Sequence, residues 1–124
     1  MQSLKGKTIF MNYWATWCPP CVAEMPSIHK LYTKFKDDPN VVFLMISEDK
    51  RMVTAKGWVK RKGFEFPIYK LAGPIADIYE TGVVPSTFVI SPEGKIVVIK
   101  TGLANYNSRR FVKLMKKLSE KAVS

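Results

Sequence analysis

Apolar residues along this chain form short continuous runs that alternate with helically spaced segments. The runs Lys7–Trp14 and Val41–Ile46 are rich in β-branched and aromatic residues and show no regular polar alternation. Runs of this kind are typical of strands that are buried on both faces of a parallel or mixed sheet. We therefore expect two inner strands, with Lys7–Trp14 a central one.

Each of these two runs is followed by a segment whose apolar residues recur at the spacing of a helix. After Pro20, which suits the first turn of a helix, apolar residues recur at helical intervals as far as Phe35. A second helix is predicted after the second run, with residues 47–49 as candidate N-cap residues and Gly63 as its stop.

The rest of the chain predicts a closing hairpin and helix. The remaining elements are an edge strand at 66–69, a brief helix at 74–82, hairpin strands at 83–90 and 95–99, and a last helix starting at Asn107 or Ser108. Alternation of strand and helix followed by a hairpin predicts an α/β sandwich with a mixed central sheet.

Length and composition limit the alternatives. The 124 residues suffice for one domain with one core, so residues 1–124 are treated as a single domain. No apolar run reaches the roughly 20 residues of a membrane helix. The first seven residues contain no apolar signal core, so an export signal or anchor was removed or never present.

The net charge of +10 is the bulk property that most invites a specific interpretation. Its lysines and arginines are spread at spacings that fit solvated helix faces, without a block or a nucleic-acid motif. We interpret them as a soluble surface and expect no nucleic-acid partner, while anionic partners stay open.

Both cysteines lie in one stretch, Trp17-Cys18-Pro19-Pro20-Cys21, at the boundary between the first strand and the first helix. Two thiols at this spacing can close a small disulfide ring and cycle between dithiol and disulfide. A helix N-terminus stabilises a thiolate and lowers its pKa from a free value of about 8.5. Cys18, just outside the helix, is the predicted nucleophile, and Cys21, one turn in, the predicted resolving thiol.

A Cys-x-x-Cys pair can also be half of a zinc site or a structural bridge. Zinc needs four ligands as a rule, and the chain offers only these two thiols and His29. This count favours redox activity and predicts no metal. We interpret His29 as a surface histidine.

The two prolines between the cysteines bear on the direction of the redox reaction. Neither Pro19 nor Pro20 has an N–H, so the donors available to a Cys18 thiolate begin at Cys21. A less stabilised thiolate means a more reducing pair, and reductants have thiol pKa values near 7 or higher. The chain is therefore predicted to be a reductant or isomerase.

Four stretches of the sequence resemble the thioredoxin superfamily, and within it the TlpA/ResA branch of bacterial thiol–disulfide oxidoreductases. They are residues 4–7, 12–21, 24–26 and 82–88, and the resemblance extends over nearly the whole chain, with about 47–74 similar to the helix and strand that this branch inserts. The resemblance implies a thioredoxin-like three-layer α/β/α sandwich.

Two departures from the family pattern matter. Plain thioredoxins have a buried aspartate where this chain has Asn12, so a proton relay cannot use that position, although the branch commonly has asparagine there. The β-hairpin that usually precedes residues 4–7 is absent, which suggests a trimmed chain or the C-terminal module of a longer exported protein.

The resemblance also implies roles for residues near the cysteines. An X–Pro bond is ordinarily trans, but the matching proline of the superfamily is cis and lies against the nucleophilic cysteine, so the same is implied for Pro85. Val84 would then pair with an extended substrate strand. The substrate-binding residues are completed by Trp17, an apolar platform beside the thiols, with Pro19 and Pro20.

Glu24 has two open interpretations. It lies three residues after Cys21, on the same side of the helix, where a first-turn acid would complement the helix dipole. Resemblance to the active-site glutamate of the branch implies instead that it accepts a proton from Cys21 through water when a mixed disulfide resolves.

The function implied is that of a monomeric thiol–disulfide oxidoreductase that reduces disulfides in exported proteins, for example in cytochrome c maturation. It would need no organic cofactor, would take electrons from an upstream donor, and would work in the periplasm or another extracytoplasmic space, with a membrane anchor outside this chain if it has one. The alternatives are a cytosolic tryparedoxin- or nucleoredoxin-like reductase, and a thioredoxin-like interaction module whose thiols are idle.

Overall fold

The computed structural model describes residues 6–70 and 84–121. Its elements are β1 (Thr8–Trp14), α1 (Pro19–Phe35), β2 (Val41–Ser47), α2 (Met52–Arg61), β3 (Ile68–Tyr69), β4 (Ser86–Ile90), β5 (Ile96–Thr101) and α3 (Arg109–Glu120). These bounds agree closely with the sequence prediction. The brief helix predicted at 74–82 lies outside the described residues.

The described strands form a mixed sheet in the order β3-β2-β1-β4-β5. Strand β2 is parallel to both β1 and β3, whereas β4 is antiparallel to both β1 and β5. The predicted mixed sheet and closing hairpin are therefore confirmed. β1 is the central strand, and its seven residues are all buried, as its continuous apolar run predicts.

Alternate residues of β1 point to opposite faces of the sheet. Phe10 and Trp14 share a core with the three described helices, to which α1, α2 and α3 contribute Met25, Ile28, Leu31, Ala55, Val59, Met115 and Leu118. The other face buries a second cluster, formed by Ile9, Met11, Tyr13, Leu44, Ile46, Phe88 and Ile90. An inner strand with apolar contacts on both faces is the arrangement expected of an α/β sandwich.

The two predicted helix starts differ in outcome. Ser108 is the N-cap of α3, and its hydroxyl accepts a hydrogen bond from the N–H of Phe111 at 3.2 Å, as predicted. The prediction for α2 is wrong, because its N-cap is Arg51, which makes no side-chain cap. Asp49 instead accepts hydrogen bonds from Thr16.

His29 is not the surface histidine that the sequence suggested. The centre of its half-buried ring lies 5.1 Å from the centre of the Phe64 ring, and its plane is stacked with that of Tyr32. The spacing of α1 hid this contact, because the aromatic partner Phe64 follows the second helix. Trp58, which had no assigned role, packs in the core against Trp14, with ring centres 5.5 Å apart.

Candidate active site

The two cysteines lie at the amino end of α1, close to the carboxyl end of the central strand. Cys18 is the N-cap with an extended backbone, and its Sγ accepts a hydrogen bond from the N–H of Cys21 at 3.3 Å. The pair is joined in a disulfide, with Cα atoms 5.2 Å apart. Cys18 is 4% exposed and Cys21 is fully buried. The predicted positions, with Cys18 just outside the helix and Cys21 in its first turn, are confirmed.

The prolines occupy the first two positions of α1. Because Pro19 and Pro20 have no N–H, the N–H of Cys21 is the first in the helix that can reach the Cys18 sulfur. An N-cap commonly receives its bond from the second or third helical residue, and here only the third can supply it. The start of α1 therefore lacks the two donors that the sequence predicted to be missing.

The segment before β4 faces the same sulfur. The Val84–Pro85 peptide bond is cis, as the family resemblance implies. The carbonyl oxygen of Val84 lies 3.7 Å from Cys18 Sγ, and the carbonyl of Pro85 accepts a hydrogen bond from the N–H of Gly102 at 2.8 Å. Val84, which was predicted to shape a substrate face, therefore lies against the predicted nucleophile, and the cis proline Pro85 follows it directly.

The surface around Cys18 is partly apolar. The side chain of Trp17 is 64% exposed, and Pro19 and Pro20 are exposed as well. Large exposed apolar side chains that surround a buried reactive group are typical of a docking surface. Their substrate-binding roles remain predictions.

Glu24 lies below the cysteines inside the protein. It is 1% exposed, and the first turn of α1 contains no acidic residue, so its interpretation as a first-turn acid is wrong. Its Oε1 accepts a hydrogen bond from Asn12 Nδ2 at 3.0 Å, and its Oε2 accepts one from the N–H of Ala104 at 3.3 Å.

Burial governs the protonation of this carboxyl. Loss of solvation raises the pKa of Glu24 from 4.5 to about 7, while the hydrogen bonds from Asn12 and from Ala104 act in the opposite direction. A carboxyl with this pKa exchanges a proton readily near neutral pH, which is the property required of a general acid or base.

The sequence did not identify the other polar residues beside Glu24. Asn12 Nδ2 also donates to Thr87 Oγ1 at 2.8 Å. Asn12 Oδ1 and the Tyr106 hydroxyl are buried and have no hydrogen-bond partner among the described residues. Asn12 stood out in the sequence as a departure from plain thioredoxins, but nothing there linked it to Glu24.

The Tyr106 hydroxyl lies in the same buried region as Glu24 and Thr87. Burial raises the pKa of its hydroxyl to about 12; the neighbouring Thr87 side chain lowers it and the charge of Glu24 raises it further. The contact with Thr87 falls short of hydrogen-bond geometry, so the hydroxyl is near Thr87 without being bonded to it. Glu24, Asn12, Thr87 and Tyr106 thus form one buried polar cluster.

An open cavity of about 580 Å³ runs beside this cluster. Its lining includes Glu24, Ser27 and Lys30 of α1, and Leu103 and Ala104 from the segment after β5. Glu24 thus borders an open cavity while remaining almost fully buried.

Neither a metal site nor a membrane span is found in the part of the chain that the structure describes. Residues 6–70 and 84–121 contain no group of three potential metal-binding side chains. Within the same ranges, no helix is both long and apolar enough to cross a bilayer.

Solved structures show the same fold. A thioredoxin-family thiol:disulfide interchange protein from Chlorobium tepidum TLS superposes with a TM-score of 0.78 at 23% identity, covering 95% of this chain and 83% of that one. StoA from Bacillus subtilis superposes with a TM-score of 0.70 at 22% identity, covering 94% and 83%. The thioredoxin-like fold predicted from the sequence is confirmed.

Sequence comparison gives the family. The chain is 37% identical over 98 residues to the thiol-disulfide oxidoreductase ResA of Bacillus cereus, which is 78% of this chain and 56% of that relative. The chain thus spans a little over half the length of this curated relative. Residues 1–99 match the AhpC/TSA family, and the chain belongs to that family of thioredoxin-like proteins.

Proposed function

We propose that this chain is a thiol–disulfide oxidoreductase that reduces disulfide bonds in other proteins. The observation that carries the proposal is the Cys18–Cys21 disulfide at the amino end of α1, with the sulfur of Cys18 against the carbonyl of Val84. The similarity to ResA, whose name states the same activity, supports it.

The reaction begins from the dithiol form. The Cys18 thiolate attacks one sulfur of a substrate disulfide, so that a mixed disulfide forms and the other substrate sulfur leaves as a thiolate. Cys21 then loses its proton and attacks Cys18 Sγ. This second step forms the Cys18–Cys21 disulfide and releases the remaining substrate thiol. The substrate gains two electrons and the chain loses two.

Glu24 serves the second step in this proposal. Cys21 is buried, and burial disfavours its thiolate, so its proton must be taken up as the sulfur attacks. Glu24, whose pKa is about 7, accepts that proton through a water molecule and returns it to solvent by the adjoining cavity. Asn12 and Ala104 hold the carboxylate in place.

The substrate would dock on the exposed surface that surrounds Cys18. An extended segment of the substrate pairs with the backbone beside Val84 and Pro85, in the manner of an added strand. Trp17, Pro19 and Pro20 provide apolar contact around the attacked bond. Backbone pairing accepts many sequences, so this mode suits an enzyme with several protein substrates.

The proposed substrates are disulfides of exported proteins, with the haem-site cysteines of apocytochrome c as one example, and the proposed compartment is extracytoplasmic. Both points are what the resemblance of residues 4–7, 12–21, 24–26 and 82–88 to the TlpA/ResA branch implies. The chain would act as a monomer and use no organic cofactor, since the Cys18–Cys21 pair itself carries the electrons. A separate donor must return two electrons to the pair after each turnover.

Single-turnover kinetics test the activity. Reduced protein is mixed with an excess of a disulfide-bonded protein, and free substrate thiols are counted over time. We expect Cys18→Ser to abolish the reaction, and Cys21→Ser to stop it at a mixed disulfide that is visible on a non-reducing gel. A Cys18→Ser variant that reduced substrate at the parent rate would contradict the proposal. Accumulation of the mixed disulfide in Cys18→Ser alone would reverse the roles of the two cysteines.

Trapping in cells tests the substrate class. The full-length protein with Cys21→Ser is expressed in its native host, and proteins bound through mixed disulfides are identified. Capture of exported proteins supports the extracytoplasmic reductant, whereas capture of cytosolic proteins alone supports the cytosolic alternative. The same protein with Cys18→Ser serves as the matched control for non-covalent capture.

A further inference from the structure

The turn that leads into the cysteine pair, residues 15–17, is held by a carboxylate from a distant part of the chain. Asp49 Oδ2 accepts a hydrogen bond from the N–H of Thr16 at 3.1 Å, and Asp49 Oδ1 accepts one from the hydroxyl of Thr16 at 2.6 Å. One carboxylate therefore binds both donors of a single turn residue.

Asp49 is itself held rigidly. It is 4% exposed, and the hydroxyl of Ser47 donates to Asp49 Oδ2 at 2.8 Å while accepting the N–H of Asp49 at 3.0 Å. The N–H of Glu48 donates to the carbonyl of Trp14 at 2.7 Å, so the ends of β1 and β2 are joined here. The Asp49 carboxylate is therefore held in place relative to the ends of both strands.

The Asp49 carboxylate is stabilised by hydrogen bonds from neutral groups. Within residues 6–70 and 84–121, no lysine or arginine forms an ion pair with it. A buried carboxylate without a cation is unfavourable unless hydrogen bonds satisfy it, and three of the four hydrogen bonds to this carboxylate come from Thr16. The arrangement therefore ties the carboxylate to the active-site turn more than to anything else.

The position of this turn determines the position of Cys18, which directly follows it. The N–H of Cys18 donates to the carbonyl of Ala15 at 3.3 Å, so the turn determines where Cys18 lies relative to α1. Hydrogen bonds weaken steeply as their geometry departs from linear. Since Pro19 and Pro20 leave the N–H of Cys21 as the first helical donor to the Cys18 sulfur, a shift of the turn that lengthens this bond would weaken the stabilisation of a Cys18 thiolate.

We propose that Asp49 is a positioning residue for the thiol chemistry, which acts through Thr16 to hold Cys18 at the amino end of α1 and Trp17 on the surface beside it. This inference rests on the proposed role of Cys18 as nucleophile. Asp49 is not a catalytic residue, because its hydrogen bonds go to Thr16 and Ser47 and none to a sulfur.

The test uses Thr16→Val, which keeps the volume of the side chain and the charge of Asp49 but removes the hydrogen bond from the hydroxyl to Asp49. In the reduced protein, we expect the pKa of Cys18, measured from the pH dependence of iodoacetamide alkylation, to rise. The rate of disulfide reduction at pH about 7 should fall about fivefold, as expected for loss of one hydrogen bond. Thr16→Ser restores the hydroxyl and should return both values to within about twofold of the parent.

The chain offers a matched control at the opposite end of β1. There Asp38 also accepts one backbone N–H, that of Asn40 at 2.9 Å, and one hydroxyl, that of Ser119 at 2.5 Å. Ser119→Ala removes a hydroxyl-to-carboxylate bond just as Thr16→Val does. It should lower the resistance to urea comparably and leave the alkylation profile of Cys18 unchanged.

Equal effects of Thr16→Val and Ser119→Ala on alkylation and reduction would overturn the inference. Alkylation needs no protein substrate, so a parent protein that fails to reduce disulfides refutes the proposed function and leaves the positioning test intact. Hydrogen exchange of the parent protein gives a second measurement that needs no variant. The Thr16 amide should exchange as slowly as strand amides, and exchange at the rate of an exposed turn would also overturn the inference.

Discussion

The side-chain amide of Asn12 joins Glu24 of helix α1 to the central strand, donating to the carboxylate at 3.0 Å. The same amide donates to Thr87 on the neighbouring strand β4 at 2.8 Å. Asn12 thus fixes the carboxyl relative to the sheet without adding a charge. Because a neutral donor cannot offset the loss of solvation, the pKa of Glu24 remains near 7.

The first prediction concerns stability and pH. Glu24 has a higher pKa in the folded protein, about 7, than its ordinary value of 4.5, so the folded state binds its proton more tightly than the unfolded state does. Its contribution to stability is therefore complete below pH 4.5 and is lost as pH rises through about 7. The loss amounts to about 3 kcal/mol.

Urea unfolding at a series of pH values measures this effect. The free energy of unfolding of Glu24→Gln minus that of the parent should increase by up to about 3 kcal/mol as the pH rises from about 4.5 to 8. Glu93→Gln is the matched control, since Glu93 is exposed in the turn between β4 and β5, and its difference from the parent should stay flat. A flat difference for Glu24→Gln would show that the carboxyl is not desolvated.

The second prediction separates the two steps of disulfide exchange. With an aromatic disulfide that releases a coloured thiol at each step, the reduced protein should show a fast phase from attack by Cys18 and a second phase from resolution by Cys21. Glu24→Gln should leave the first phase unchanged and slow the second at neutral pH by about 100-fold, the lower end of the range for general base catalysis. The deficit should shrink at alkaline pH, where hydroxide can remove the proton. A second phase at the parent rate would remove Glu24 from the mechanism.

The third prediction concerns the hydroxyl of Tyr106. It is buried and lacks a partner among the described residues, and its ring packs edge-on against Phe10 and Phe111 at 5.3 and 5.1 Å. Burying an unbonded hydroxyl is unfavourable, so Tyr106→Phe should match the parent or gain up to about 1 kcal/mol in the free energy of unfolding. Tyr106→Leu, which loses the ring contacts, should lose about 2 kcal/mol. If Tyr106→Phe were the less stable by more than about 1 kcal/mol, the hydroxyl must have a bonding partner.

Features that depend on local spacing were predictable from the sequence. The continuous apolar runs gave the inner strands, and the five-residue stretch around Cys18 gave the order of the two thiols along the helix. These predictions succeeded because strand burial and the geometry of a helix start depend on residues that are close in the chain.

The features that the sequence did not reveal join distant segments. Glu24 meets Asn12 and Ala104, which are 12 and 80 positions away, and Thr16 meets Asp49 at a separation of 33. Polar residues at such separations carry no periodic signal. Asp49 also had a plausible local role as a helix cap, which made its actual role harder to detect.

The last prediction concerns the missing donors at the start of α1. Cys18 Sγ receives a hydrogen bond from the N–H of Cys21 at 3.3 Å, and Pro20 occupies the position from which an N-cap usually receives another. Pro20→Ala supplies that N–H, so a thiolate at Cys18 gains a charge-assisted bond. We expect the pKa of Cys18, which should be about 7 or higher in the parent, to fall by about one unit, equivalent to about 1.4 kcal/mol. The ultraviolet absorbance of the thiolate measures this pKa directly. Pro26→Ala is the matched control, because Pro26 is exposed further along the same helix and its replacement should leave the thiol unaffected. A parent pKa below about 5, the range of strongly oxidising relatives, would contradict both the argument from the prolines and the assignment of the chain as a reductant.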